Sequence, residues 1–281
     1  MIDIEYFLTN QNIKMPKLIY GTAWKKENTT KFVINAIKLG FKGIDTACQP
    51  KHYNEKLVGD ALIELKKQGI ERENLFLQTK FTPIRGQDPN NTPYDKKASL
   101  EEQVYQSFQV SKKNLQTNYI DSLVLHSPMD SNLLTQKVWS VFEKIYEEKG
   151  IKQLGISNCY DLEVLEYLYK NSKIKPSVIQ NRFYKETNFD KEIRAFCLKN
   201  NIIYQSFWTL TANPQLLDSN EIKTLAKKYN KTSAQILFRY LTQNNVAPLT
   251  GTCTEKHMLE DLQIFTFELD VKDLEQITKL I

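Results

Sequence analysis

The chain is poor in glycine, the residue that usually marks a nucleotide-binding loop. Its 281 residues include only nine glycines, and no G-x-G-x-x-G pattern occurs. In the common dinucleotide-binding fold, that pattern lets the backbone approach a pyrophosphate at a helix N-terminus. Its absence argues against that fold and leaves open a phosphate-bearing ligand held in another way.

Paired cysteines and clustered histidines are also lacking. No C-x-x-C pair occurs, and the four cysteines lie far apart, at Cys48, Cys159, Cys197 and Cys253. We therefore expect free thiols in a reducing cytoplasm and no disulfide framework. The three histidines, His52, His126 and His257, fall in unrelated places, so no metal site is expected.

Long apolar and long basic runs are missing as well. No stretch approaches the ~20 apolar residues of a membrane span, and Asp3 and Glu5 stand where a signal peptide would be apolar. The net charge of +5 comes from scattered lysines, with runs no longer than pairs such as Lys66-Lys67. We expect a monomer with a solvated surface, no membrane or nucleic-acid partner, and a mild field that favours a phosphate-bearing cofactor.

Short apolar segments alternate with amphipathic segments along the whole chain. A first helix is predicted to end at Gly40, and Leu57, Ala61 and Leu65 recur at helical spacing in the next one. The predicted strands cover 17–20, 43–46, 75–80, 119–125, 152–157, 177–180, 202–206 and 246–249. The later predicted helices cover 54–68, 99–115, 134–149, 161–171, 189–199, 219–229, 232–242 and 270–280.

Eight strand–helix units without a break in composition predict an α/β protein with a parallel sheet. In about 280 residues, eight units fit a (β/α)8 TIM barrel better than an open doubly wound sheet. We predict a single barrel domain over residues 1–281, with a short N-terminal β-hairpin near 4–15.

Polar side chains stand at the ends of successive predicted strands. Asp45, Lys80 and His126 end strands 2, 3 and 4, and Tyr53 lies in the loop after strand 2. Because the active site of such a barrel lies at the C-terminal ends of its strands, these residues should converge at one mouth. The set suggests a tyrosine acid catalyst tuned by its neighbours.

Each residue also has a purely structural interpretation. Lys80 could only neutralise Asp45, and His126 could be a satisfied core histidine. Ser157-Asn158 could be a helix N-cap. Trp24, after strand 1, could line a substrate pocket or simply pack against the barrel.

The order of motifs resembles the aldo-keto reductase family from about residue 15 to residue 280. The matching segments are GFKGIDTA (40–47), Thr79-Lys80, YIDSLVLHSP (119–128), GIKQLGISN (150–158), Gln180-Asn181 and IFTFEL (264–269). The resemblance implies a (β/α)8 barrel that binds NADPH, or less often NADH, and reduces aldehydes and ketones to alcohols.

The resemblance also implies roles for individual residues. The catalytic tetrad would be Asp45, Tyr53, Lys80 and His126, and the substrate would contact Trp24, Tyr53 and His126. Ser157, Asn158 and Gln180 would hold the nicotinamide carboxamide, and Phe207 would stack on its ring. The full implied cofactor set is Gly21, Thr22, Asp45, Ser157, Asn158, Gln180, Phe207, Trp208, Leu210, Gly251, Thr252, His257, Glu260 and Asp261.

Two departures from the family pattern bear on the acid and on the cofactor. The loop before Tyr53 carries about two extra residues and resembles a fungal-type variant, Gln49-Pro50-Lys51-His52-Tyr53. Where the family shows Pro-Lys-Ser and then Arg, this chain has Thr250-Gly251-Thr252 and then His257. Lys256, His257 or the backbone of a helix that begins near Thr254 could take over the phosphate contact. NADPH is expected, with NADH as an option.

A third departure concerns the substrate pocket. Family members often continue into a C-terminal loop that covers the substrate, whereas here Ile281 follows the last predicted helix directly. We expect an open pocket and broad substrate selection.

In the implied chemistry, the nicotinamide gives a hydride and Tyr53 gives a proton. The Lys80 ammonium is expected to lower the pKa of Tyr53 by roughly 1–3 units, and a neutral His126 is expected to orient the carbonyl. Two alternatives remain open: an aldolase or lyase that forms a Schiff base on Lys80, and a cofactor-binding regulatory module without turnover.

Overall fold

Eight parallel strands close into a barrel in the computed structural model, which describes residues 4–281. The barrel strands are β3 (Ile19–Gly21), β4 (Gly43–Asp45), β5 (Phe76–Phe81), β6 (Ile120–Leu125), β7 (Ile151–Ser157), β8 (Val178–Arg182), β9 (Ile203–Phe207) and β10 (Val246–Thr250). The last strand pairs with the first, with Thr250 opposite Tyr20, and this pairing closes the cylinder. The predicted (β/α)8 barrel is confirmed.

Helices surround the barrel and cover its outer face. They are α1 (Thr29–Leu39), α2 (Glu55–Lys67), α3 (Leu100–Leu115), α4 (Asn132–Glu147), α5 (Leu162–Asn171), α6 (Lys191–Lys199), α7 (Pro214–Leu217), α8 (Asn220–Tyr229), α9 (Ser233–Gln243), α10 (Glu255–Leu262) and α11 (Val271–Thr278). In α3, Ser99 and Glu102 form a reciprocal capping box, and Val104, Phe108 and Leu115 face the core. Helix α3 thus begins where its capping signal stands and buries the stripe that its spacing predicts.

A two-stranded hairpin, β1 (Tyr6–Leu8) and β2 (Lys14–Pro16), precedes the barrel as predicted. Its Met15 is fully buried. The Met15 sulfur lies 3.2 Å from Gln205 Nε2 and 3.9 Å from Gln153 Nε2, two groups that line the lumen. The hairpin therefore closes the N-terminal end of the barrel and leaves the opposite end as the open mouth.

The predicted elements differ from the structure mainly at helix ends. Helix α4 begins at Asn132, two residues before its predicted start, because Ser131 caps it through the Leu134 amide. The short helices α7 and α10 were absent from the predicted pattern, although a helix start near Thr254 was expected. Within residues 4–281, no helix is both long enough and apolar enough to cross a bilayer.

Candidate active site

A buried ion pair lies inside the mouth of the barrel. Lys80 Nζ donates hydrogen bonds to Asp45 Oδ2 at 2.6 Å and to the Thr46 carbonyl at 2.9 Å. The two charged side chains are 0% and 3% exposed. Strands β4 and β5 are adjacent and parallel, with Asp45 opposite Gln78, so Lys80 enters the lumen two residues further along β5, on the same side as Gln78. The sequence-based expectation that Asp45 pairs with Lys80 is met in this geometry.

Lumen glutamines hold the other oxygen of Asp45. Its Oδ1 accepts from Gln78 Nε2 at 2.8 Å and from Gln180 Nε2 at 3.0 Å. Both amides also donate to Gln205 Oε1 at 2.8 Å. Sequence reasoning missed Gln78 and Gln205, although their place inside apolar strands was a signal of inward-facing polar groups. The network fixes Asp45 and, through it, the Lys80 ammonium.

Tyr53 joins this pair at the rim. Lys80 Nζ lies 5.1 Å from the centre of the Tyr53 ring. The rings of Tyr53 and His126 are 6.0 Å apart at an interplanar angle of 66°. Both rings are partly exposed at the mouth. The structure thus brings Tyr53 together with the three residues that the sequence placed at strand ends.

The lengthened loop before Tyr53 is well anchored despite its extra residues. Gln49 organises it, since its carbonyl accepts from the Tyr53 amide at 3.0 Å and its side chain donates to the Gly86 carbonyl at 2.6 Å. The His52 ring then lies 4.0 Å from the Trp24 ring, centre to centre. The extra residues therefore pack outward on Trp24 and leave Tyr53 facing the lumen.

The expected lowering of the Tyr53 pKa by Lys80 is wrong for this structure. Burial of the hydroxyl, followed by the negative charge of Asp45, raises the pKa of Tyr53 above its ordinary value. The physical reason is that burial and the nearby Asp45 carboxylate both favour the neutral phenol, while the Lys80 ammonium is paired with that carboxylate at 2.6 Å. Burial also lowers the pKa of Lys80, against the opposing effect of Asp45. Tyr53 is therefore a protonated phenol that can give up its hydrogen to an acceptor.

His126 is held from three sides. Its backbone amide donates to the Phe81 carbonyl at 2.9 Å, and its carbonyl accepts from Asn158 Nδ2 at 2.8 Å. Its ring Nδ1 lies 2.7 Å from Thr82 Oγ1. Burial, aided by the Lys80 charge, lowers the pKa of His126 well below the ordinary value, as expected for a neutral imidazole.

The residues expected to hold a carboxamide lie side by side, at the end of β7 and on β8. Ser157 Oγ donates to the Gln180 carbonyl at 2.6 Å, and Asn158 Nδ2 lies 3.2 Å from Ser157 Oγ. The alternative role of Ser157-Asn158 as a helix cap is wrong, because Asp161 caps α5 through the Glu163 amide. This leaves the Asn158 amide and the Ser157 hydroxyl beside His126, whereas the Gln180 amide donates to Asp45 and Gln205 in the lumen.

Aromatic side chains frame the mouth. Phe207 ends β9 and is partly exposed, while Trp208 and Trp24 are 50% and 57% exposed. Arg182, which sequence reasoning missed, stacks its guanidinium 4.2 Å from the Trp208 ring centre. The partly exposed Leu210 follows in the same loop as Trp208. On the other side of the barrel closure, Thr22, which is buried next to Gly21, donates a hydrogen bond from its hydroxyl to the Asp45 carbonyl at 2.9 Å.

The segment after β10 lacks the expected cations, as the sequence showed, but another lysine reaches it. Lys25, a buried residue of the loop after β3, donates a hydrogen bond to the Gly251 carbonyl. Its Nζ also lies 3.3 Å from Cys253 Sγ. A Cβ built on Gly251 would lie 3.5 Å from the same Nζ. The Lys25 side chain thus ends close to the place where a side chain at position 251 would begin. The sequence did not reveal this contact of Lys25.

The remaining residues implied for this segment lie on or beside α10. Thr252 is partly exposed, and its carbonyl accepts a hydrogen bond from the Tyr20 hydroxyl at 2.9 Å. His257 is exposed. Glu260 faces Lys256 across one helical turn, 3.8 Å apart. Asp261 is buried beneath them and accepts from Thr250 Oγ1 at 2.7 Å.

Asp261 gives a prediction for the pH dependence of stability. Burial, with a smaller contribution from Glu260, raises its pKa to about 7. Because the unfolded chain ionises this carboxyl near pH 4, its contribution to stability is complete below that pH and is lost as pH rises towards 7, at roughly 1 kcal/mol per pH unit. Asp261→Asn should therefore gain stability relative to wild type between pH 4 and 7 and hold a constant difference above pH 7. Urea unfolding at several pH values measures the difference in unfolding free energy between the variant and wild type. A difference that does not vary with pH would contradict the prediction.

The family model for the aldo/keto reductase family matches residues 17–281. Among curated proteins, the chain is 32% identical to glyoxal reductase of Bacillus subtilis, with 96% of this chain and 91% of that protein covered. It is 28% identical to the NADPH-dependent alpha-keto amide reductase of Saccharomyces cerevisiae, with 98% and 90% covered.

Solved structures show the same similarity. An aldo/keto reductase from Brucella melitensis matches with a TM-score of 0.83 at 30% identity, over 99% of this chain and all of that one. The aldo-keto reductase of the silkworm Bombyx mori, complexed with NADPH, matches with a TM-score of 0.82 over 99% of this chain and 88% of that one. At 22% identity, the latter match supports the fold alone.

Proposed function

Because the chain belongs to the aldo/keto reductase family, we propose that it is an NADPH-dependent reductase that converts small aldehydes and ketones to alcohols. The observation that carries the proposal is the convergence of Tyr53, His126 and the Asp45–Lys80 pair at one mouth. The yeast relative is named as NADPH-dependent, which supports the choice of cofactor.

The residues present suit a nicotinamide cofactor. When bound, the reduced nicotinamide supplies the hydride, which no side chain can supply. Ser157, Asn158 and Gln180 would hold its carboxamide, and Phe207 would lie against its ring. At the far end of the dinucleotide, Lys25 would face a phosphate near Gly251.

Tyr53 would give the proton to the substrate oxygen. Its raised pKa keeps the phenol protonated at neutral pH, as a proton donor requires. His126, neutral and partly exposed, would donate a second hydrogen bond to the same oxygen and orient the carbonyl. Lys80, held by Asp45, would stabilise the phenolate that remains after transfer.

The names of the relatives suggest a substrate class. Glyoxal and an alpha-keto amide both carry two adjacent carbonyl groups. We therefore expect vicinal dicarbonyl compounds to be reduced faster than a simple aldehyde of similar size. Loss of absorbance at 340 nm with NADPH and glyoxal, beside propanal and an aromatic aldehyde, tests both the activity and the ranking. No turnover with any of them would contradict the proposal and favour the regulatory-module alternative.

The choice of cofactor gives a prediction for Lys25. Lys25→Met keeps the alkyl packing near Tyr20 and Phe32 and removes the charge. If the ammonium contacts the 2′-phosphate, the variant should weaken NADPH binding by about 10- to 100-fold and leave NADH binding almost unchanged. Fluorescence titration with both cofactors measures the effect.

His257→Ala is the matched comparison, because His257 was the sequence-based candidate and is exposed on α10. We expect it to change the preference for NADPH less than Lys25→Met does. An equal loss of NADH and NADPH affinity in Lys25→Met would remove Lys25 from the 2′-phosphate role.

A further inference from the structure

Thr82 lies beside His126 at the mouth and has no part in the chemistry described so far. It follows Lys80 by two residues, so the alternation of β5 directs both side chains to the lumen side. Leu125 pairs with Phe81 across β5 and β6, which brings Thr82 next to His126. Thr82 Oγ1 lies 2.7 Å from His126 Nδ1, and Thr82 is only 3% exposed.

The rotamer of Thr82 is fixed by the loop that follows it. A Cβ on Gly86 would lie 2.8 Å from Thr82 Cγ2, so the methyl group already fills the space beside that glycine. The Thr82 carbonyl accepts from Tyr94 at 2.8 Å and from Gln87 Nε2 at 3.2 Å. With the methyl packed on Gly86 and the carbonyl held twice, the hydroxyl is left facing His126.

The direction of the hydrogen bond follows from a count of partners. Among residues 4–281, His126 Nδ1 is the only hydrogen-bond partner of the Thr82 hydroxyl. If Nδ1 carried the hydrogen and Thr82 accepted, the hydroxyl hydrogen would be buried without an acceptor, which costs free energy. If Thr82 donates, Nδ1 is the acceptor and the ring hydrogen must lie on Nε2.

We propose that Thr82 is a positioning residue that donates its hydroxyl hydrogen to His126 Nδ1 and so fixes the tautomer with hydrogen on Nε2. No described residue is hydrogen-bonded to Nε2, which leaves its N–H directed at a ligand in the mouth. This inference rests on the proposed reductase function, because the ligand would be the carbonyl oxygen. The opposite tautomer would present a lone pair to that oxygen and repel it.

The first test is spectroscopic and needs no turnover. The chain has only three histidines, so a long-range ¹H–¹⁵N spectrum of imidazole-labelled protein contains three ring systems, and His126→Gln identifies one of them. We expect the His126 Nδ1 to resonate as an unprotonated nitrogen and Nε2 as a protonated one between roughly pH 6 and 8. A protonated Nδ1 in the wild-type protein would overturn the proposal, whatever the enzyme does to carbonyl compounds.

The second test compares two substitutions at the same position. Thr82→Val keeps the shape and the contact with Gly86 and removes the hydroxyl, whereas Thr82→Ser keeps the hydroxyl and removes the methyl group. We expect Thr82→Val to mix the tautomers and lower kcat by about 10- to 100-fold, the range found when metal-bound histidines lose an outer hydrogen-bond partner, with NADPH affinity unchanged. Thr82→Ser should restore both the tautomer and most of kcat.

The pair of variants separates positioning from packing. A purely structural role predicts the opposite order, because serine loses more packing than valine. Wild-type kcat in Thr82→Val, or a loss in Thr82→Ser equal to that in Thr82→Val, would overturn the proposal. If wild type shows the expected tautomer but no carbonyl reduction, the proposed function fails while the assignment of Thr82 stands.

Discussion

Tyr53→Phe lowers kcat for carbonyl reduction by about 10²–10⁴-fold, the usual contribution of a general acid, and leaves NADPH affinity and thermal stability near wild type. The ring remains, so its contacts with the Lys80 ammonium and the His126 ring remain. Only the proton donor is removed. Steady-state assays at 340 nm, fluorescence titration of NADPH and thermal unfolding measure the three quantities.

Tyr184→Phe is the matched control for Tyr53. Tyr184 is also partly buried at the mouth, where its ring lies 6.3 Å from Tyr160, but it contacts none of the four convergent residues in the described structure. It should keep normal turnover. Normal turnover in Tyr53→Phe instead would mean that another group protonates the substrate.

The protonation states add a pH profile to this test. Burial raises the pKa of Tyr53 above about 10 and lowers that of His126 below about 6.5, their ordinary values. Neither group then changes charge between roughly pH 7 and 9, so neither should make the rate of reduction vary with pH there. A fall in kcat in this range that disappears in Tyr53→Phe would show that the phenol ionises more easily than its burial implies.

The sequence alone was sufficient for the fold and for the four convergent residues, for reasons visible in particular elements. Strand β4 is only Gly43–Asp45, yet the glycine at its start and the apolar Ile44 mark it, and the polar Asp45 marks its end. Once eight strands are counted, the geometry of a parallel barrel sends all such ends to one side. No three-dimensional information beyond strand order was needed.

Lys25 shows what the sequence could not supply. Its contact with Gly251 spans 226 positions of the chain and exists only because β10 closes on β3. A lysine in a loop has no local pattern that reveals such a contact. Gln78 and Gln205 differ from Lys25 in that their places inside apolar strands signal inward-facing polar groups, but no local pattern reveals that their amides meet across the lumen.

The predicted direction of the Tyr53 pKa shift was wrong for a different reason. Sequence reasoning identified the correct neighbour, Lys80, but the shift depends on a balance between burial and two opposite charges. Burial has the largest effect on the Tyr53 pKa, and the negative charge of Asp45 acts in the same direction. Such balances depend on distances of a few ångströms, which strand order does not fix.

Lys80→Met should abolish reduction and also destabilise the fold by about 3–5 kcal/mol, because it leaves the buried Asp45 carboxylate without its partner. Lys80 Nζ and Asp45 Oδ2 are 2.6 Å apart and both side chains are nearly inaccessible. Adding Asp45→Asn to this variant removes the orphaned charge. The double variant should therefore regain most of the lost stability in urea unfolding and none of the turnover.

Lys152→Met is the control for the loss of an ion pair as such, since Lys152 pairs with Asp121 at 2.9 Å but is 43% exposed. Its stability and turnover should hardly change.

A trapping experiment on the wild-type protein decides whether Lys80 forms a Schiff base, because loss of turnover in Lys80→Met fits either mechanism. In the present geometry the Lys80 amine is a charged donor to Asp45 and to Thr46, and a carbonyl carbon has no access to it. Borohydride treatment of wild type with an aldehyde should accordingly give no adduct on Lys80. An adduct at that residue, together with turnover that does not consume NADPH, would replace the reductase with a lyase, because the same amine cannot serve as a buried counter-ion and as a nucleophile.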